Sequence, residues 1–152
     1  MPRYAVTGRN AAGTNNNRQG ALWNPSSAKP LWIESFLYAT TDTNKTMSYT
    51  LRRITTRGTP GSTITPDIDN DYDKALAPPS GALLDLAIYT VNPTEEAAPY
   101  MEQAKGADNA TGGSGFIFEF DPPLKIPPGT GLLVRNQGDP TSVGDMTFIW
   151  TE

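Results

Sequence analysis

Residues 115–136, reading GFIFEFDPPLKIPPGTGLLVRN, constrain the fold more than any other stretch of the chain. Phe116, Phe118 and Phe120 alternate with Ile117, Glu119 and Asp121. This is the period of two that an extended strand with one buried face shows. Pro122 and Pro123 have no N–H to donate to a ladder, so the strand is expected to end there. Pro127, Pro128 and Gly129 predict a tight turn, and residues 132–135 the strand that follows it.

The same pattern recurs along the chain. Residues 4–7 and 21–23 read as short strands. Residues 31–40 read as a long one, with Leu31, Ile33, Ser35 and Leu37 on one face and Trp32, Glu34, Phe36 and Tyr38 on the other. Large apolar residues on both faces imply a central strand, or one covered by a neighbouring subunit. A turn at Asp42-Thr43-Asn44 suggests a hairpin to the next strand. In that strand Met47, Tyr49, Leu51 and Arg53 oppose Ser48, Thr50, Arg52 and Ile54. Residues 83–91 resume strand character, 97–104 read as strand or short helix, and 143–151 close the chain with Met146, Phe148 and Trp150 on one face.

About eight strands separated by turn signals predict an all-β fold, an antiparallel β-sandwich of jelly-roll type, with an immunoglobulin-like sandwich as its rival. The 14 glycines and 14 prolines fit frequent turns, and 152 residues suffice for one domain with one core. Two segments stand apart from the strands. Residues 8–20 (GRNAAGTNNNRQG) read as a polar loop or as an arm that orders on a partner. Residues 55–81 read as a long loop, a kind of segment that is often functional.

Composition removes whole classes of chemistry. The chain has no Cys and no His. That excludes Ser-His-Asp and Cys-His catalysis, thiolate metal sites and disulfides. A net charge of −4 argues against nucleic acid as a partner, and no apolar run reaches the length of a membrane span. No signal region follows Met1. Carboxylate pairs such as Glu95 with Glu96, or Asp85 with Glu119, are too common a feature to mark a glycosidase. No phosphate-binding loop is present. Trp23, Trp32 and Trp150 offer aromatic surface for a sugar, but their strand positions favour packing. The expected protein is non-enzymatic and without cofactor.

One acidic run is a candidate Ca²⁺ site: Asp67, Asp69, Asp71 and Asp73 recur at alternate positions. It departs from an EF-hand loop, because Tyr72 stands where that loop needs Gly and Pro78 where it needs its closing Glu. The plainer reading is a solvated loop whose aspartates pair with arginines. Arg52, Arg53 and Arg57 are the nearest in sequence, and they equally suit an acidic surface on a partner. Candidate partner contacts are Arg9, Asn15, Asn16, Asn17, Arg18, Arg52, Arg53, Arg57, Thr59 and Tyr72, in or beside the two free segments.

Four stretches carry a resemblance: LWNPSS at 22–27, TRGTPGSTITPDIDNDYD at 56–73, APPSG at 77–81 and IPPGTGLLV at 126–134. Together they resemble small tailed-phage capsid decoration (cement) proteins of jelly-roll or related sandwich build. The resemblance implies a structural protein on the outside of an icosahedral head. It would be made in the host cytoplasm, assemble as a homotrimer and clamp neighbouring copies of the major capsid protein. The pattern transfers no individual binding residue. A receptor- or glycan-binding domain of a phage tail or fibre is the alternative.

Overall fold

The computed structural model describes residues 2–10, 17–40, 48–68, 78–97, 102–105, 114–139 and 141–152. Every regular element among them is a strand: β1 (Arg3–Arg9), β2 (Arg18–Trp23), β3 (Leu31–Thr40), β4 (Ser48–Thr56), β5 (Ser62–Ile64), β6 (Asp67–Ile68), β7 (Leu83–Leu86), β8 (Thr94–Glu95), β9 (Glu102–Lys105), β10 (Ser114–Ile126), β11 (Gly131–Asn136) and β12 (Gly144–Thr151). They form two sheets, ordered β10-β3-β12-β1-β6 and β5-β7-β2-β11-β4-β8, with β9 also paired to β4. Every pairing is antiparallel.

This order defines a jelly roll. β8 pairs Ile54 and Thr56 of β4, while β9 pairs the stretch of β4 that begins at Ser48. The two therefore fill one strand position along β4. Eight positions then follow in chain order: β1, β2, β3, β4, β8 with β9, β10, β11 and β12. The first, eighth, third and sixth lie side by side in one sheet; the second, seventh, fourth and fifth do so in the other. That interleaving is the double Greek key of the jelly roll. Strands β5, β6 and β7 are an insertion between the fourth and fifth positions. β6 extends the first sheet beside β1, and β7 with β5 extends the second beside β2.

The core fills the space between the sheets. Phe36, Tyr38, Met146, Phe148 and Trp150 come from the first sheet; Leu22, Tyr49, Leu51, Leu84, Leu132 and Val134 come from the second. All are buried, and the Tyr38 and Tyr49 rings lie 4.3 Å apart between centroids across the sandwich. Phe36 sits 4.8 Å from Phe148 and Tyr4 stacks on Trp150 at 5.8 Å. Aromatic burial on this scale dominates the stability of a small all-β domain.

Several expectations are corrected. The hairpin between residues 31–40 and 46–54 does not exist, because β3 and β4 lie in opposite sheets and face each other through Tyr38 and Tyr49. A turn signal fixes a reversal of the chain, not which strands then pair; Asp42-Thr43-Asn44 itself lies outside the described residues. Pro122 and Pro123 do not end a strand. They sit in a bulge of β10, whose pairing with β3 steps from Glu119↔Ser35 to Leu124↔Ile33. β10 is an edge strand, where proline is tolerated. The faces of β3 switch at Glu34: its register to β12 moves from Ser35↔Ile149 to Ile33↔Trp150. Leu31 and Ile33, then Phe36 and Tyr38, are therefore the buried residues, and Leu37 points outward.

Residues 8–20 are not one loop. Gly8 and Arg9 complete β1, and β2 opens at Arg18. A Cβ on Gly8 would lie 2.7 Å from Ile64 Cδ1, so the missing side chain there reflects close packing. Residues 55–81 likewise contain β5 and β6. Strand β7 stops at Leu86 rather than running to Val91, and part of 97–104 is strand β9.

Candidate partner-binding faces

The two outer faces of the sandwich differ. On the second sheet β2, β11 and β4 lie between β7 and β8, so the chain joining those two must pass all three. The link from β4 to β5 makes the reverse crossing. These two links, 57–61 and 87–93, bind each other: Thr59 N donates to Val91 O at 2.8 Å and Thr90 N to Thr59 O at 2.9 Å, while Gly61 N donates to Leu86 O at the end of β7 at 3.0 Å. They form a strap. On the same sheet Ala21, Ile54 and Leu133 form a small buried cluster, with Trp23 packed beside it, separate from the main core. Tyr89, on the strap, is 5% exposed.

Charged side chains make up the rest of this face. Register places Arg18 of β2, Arg135 of β11 and Arg52 of β4 on the side away from the core, with Glu95 of β8 opposite Ile54. Glu95 Oε1 lies 2.7 Å from Arg18 Nη2; its Oε2 lies 2.7 Å from Arg52 Nη1 and 3.1 Å from Arg135 Nη1. Burial lowers the pKa of the Arg135 guanidinium, and the charges of Arg52 and Arg18 push the same way against Glu95. Further along, Arg57 grips the buried Asp85 carboxylate with both Nε and Nη2 at 2.7 Å, and Thr63 Oγ1 donates to it at 2.8 Å. This bidentate bond raises the Arg57 pKa further.

The first sheet presents an outer face in three registered rows. Ile117, Leu37, Thr147 and Thr7 form one; Gly115, Ala39, Asp145 and Arg9 the next; Glu119, Ser35, Ile149 and Ala5 the third. Ile117 is 58% exposed, and Thr7, Arg9, Ala39 and Glu119 are exposed too. Thr7 and Thr147 share a hydroxyl bond of 2.8 Å, and Arg9 binds Asp145 through Nε and Nη2 at 2.8 and 2.7 Å. This pair lowers the Asp145 pKa. A groove of about 600 Å³ runs over Leu37, Ala39, Ile117, Asp145 and Thr147.

The residues singled out in the sequence fall into distinct places. Arg9 is on the open face. Arg18 and Arg52 meet at Glu95, while Arg53 Nη2 donates to Lys125 O at 3.1 Å and Arg57 holds Asp85. Among the described residues, Arg18 and Arg52 thus meet Glu95 and Arg57 meets Asp85, carboxylates from other strands. Thr59 anchors the strap. Asn17 adopts a left-handed conformation and reaches Gln137 Oε1 at 3.3 Å. Asp67 pairs Ala5 through β6. Asn15, Asn16, Asp69, Asp71, Tyr72 and Asp73 lie outside the described residues, and so does most of the candidate Ca²⁺ run. Among the described residues no group of three or more acidic side chains is placed to hold a metal. Asp85 and Glu119 sit in different sheets, and Glu95 is taken up by arginines. Trp150 is core, and Trp32 carries Lys125 Nζ at 5.3 Å from its ring centroid.

Sequence reasoning missed Arg135, Leu37 and the strap. The available signal was a single arginine on each of three strands, Arg18, Arg52 and Arg135, which only pairing turns into a cluster. No protein-family model matches the chain, and neither does any curated protein or solved structure.

Proposed function

We propose that the chain is a non-enzymatic virion structural protein, a decoration protein that binds the outside of a phage head and stabilises contacts between major capsid subunits. The observation that carries this reading is the asymmetry of the sandwich. One outer face is strapped over by the chain's own insertion; the other exposes Ile117 beside Leu37 along a shallow groove. An open, mixed apolar and polar sheet face suits a protein–protein contact better than a catalytic cleft. The resemblance in the turn-and-strand motifs supplies the capsid as the partner. A homotrimer would multiply a modest contact through avidity. The test is a pull-down of purified chain with heads of the source particle. Sedimentation with intact heads supports the reading, and recovery with tails alone contradicts it.

A second reading, a glycan-binding domain of a tail or fibre, draws on the same groove, where Asp145 and Thr147 stand beside apolar Leu37 and Ile117. A glycan array decides it. Binding there without binding to heads would replace the first reading.

A further inference from the structure

One sheet margin is built differently from the rest. β6 ends the first sheet with two residues; at the margins of the second, β5 has three, and β8 and β9 have two and four. Margins this short offer little backbone for another strand to join. β10, at the other margin of the first sheet, has 13 residues. It holds its register with β3 over residues 114–119, ahead of the bulge that contains Pro122 and Pro123. No proline interrupts 114–119, and among the described residues β3 is the one strand that pairs with it. The backbone N–H and C=O groups along its other edge are open to a further strand.

The side chains of this edge define what such a strand must carry. Toward the core, Phe116 and Phe120 are only partly buried, on either side of Phe118. Apolar side chains on an added strand would cover all three rings. Toward the outside, Ile117, Glu119 and Asp121 are exposed, and neither carboxylate has an ion pair among the described residues. The edge is thus apolar on its inner side and acidic on its outer side. A second copy of β10 would bring further carboxylates to it, and like charges on adjoining strands repel. A strand with basic outer residues complements it.

We infer that the 114–119 edge of β10 is a docking site for an extended segment of a different protein. That segment joins the first sheet as an added strand, with aliphatic side chains turned inward against the three phenylalanines and lysine or arginine turned outward toward Glu119 and Asp121. Backbone bonds hold such a segment, and its alternating side chains select it. The inference stands whether or not that protein belongs to a capsid.

The probe is a synthetic peptide of alternating valine and lysine, titrated into the full chain, with amide resonances and their hydrogen exchange followed by NMR. The expected result is saturable binding, with every second amide of 114–119 exchanging at least about tenfold more slowly when the peptide is bound. A peptide with glutamate in place of lysine should not bind. Glu119→Gln, at an exposed position, should weaken the lysine peptide by about threefold. Ser62→Lys, which shifts the net charge by the same amount at the β5 margin of the other sheet, should leave its affinity unchanged. This comparison separates a site on β10 from attraction of a cationic peptide to an acidic protein. No saturable binding, protection confined to other segments, or undiminished affinity in Glu119→Gln would overturn the proposal. So would slowed exchange along 114–119 on concentrating the chain alone, which would give the edge to a second copy.

Discussion

Tyr89 puts a hydroxyl in the interior with no hydrogen-bond partner among the described residues. Burial, helped by the Asp85 charge, holds that phenol far above its ordinary pKa of 10.0. In the unfolded chain the same group ionises at its ordinary value. Above about pH 10 the unfolded state therefore loses a proton that the folded state keeps, and stability falls as pH rises. Tyr89→Phe removes the ionisation and the unsatisfied hydroxyl together. It should raise stability at pH 7 by about 1 kcal/mol, because the buried hydroxyl's desolvation is no longer uncompensated, and hold the urea midpoint still further above wild type between pH 10 and 11. Glu95 is the opposite case. Glu95→Ala removes the carboxylate that Arg18, Arg52 and Arg135 approach in a largely dry site, and should cost about 3 kcal/mol in chemical denaturation.

At the level of elements, the strap depends on one backbone approach. Gly58 has φ of +71°, and a Cβ there would lie 2.4 Å from Val91 O and 2.7 Å from Pro93 N. Neither backbone atom belongs to a side chain that can swing aside. Gly58→Ala should cost about 2–3 kcal/mol, and hydrogen exchange at the Thr59 amide should speed up as its bond to Val91 O weakens. The strands themselves were legible in the chain, because β10 and β12 carry period-two alternation between a buried and an outward face, while β11 is a short apolar run bounded by turn residues. The strap was not. Residues 55–81 lack alternation, since β5 and β6 are too short to show it and the crossing segments hold the sheet through backbone bonds. The switch of faces at Glu34 was hidden for a related reason: a bulge is a property of pairing with Ile149 and Trp150, which a single strand does not display.

For the whole molecule, composition and alternation foretold a jelly roll, and the interleaved strand order gives it. Pairing partners were beyond reach, because a double Greek key joins residues far apart in sequence, such as Arg18, Arg52, Glu95 and Arg135. The open face was also hidden: Ile117 and Leu37 read as ordinary strand residues until the register sets them side by side on the outer surface. Ile117→Asp should leave Tm within about 1 °C of wild type, since the side chain is 58% exposed. It should also weaken binding to heads at least about tenfold if this face docks. The most direct test of the decoration reading is cryo-microscopy of the source particle. The account predicts density for this jelly roll on the head exterior, with the β10-β3-β12-β1 face turned toward the major capsid protein. Heads lacking that density, or carrying it with this face toward solvent, would contradict it.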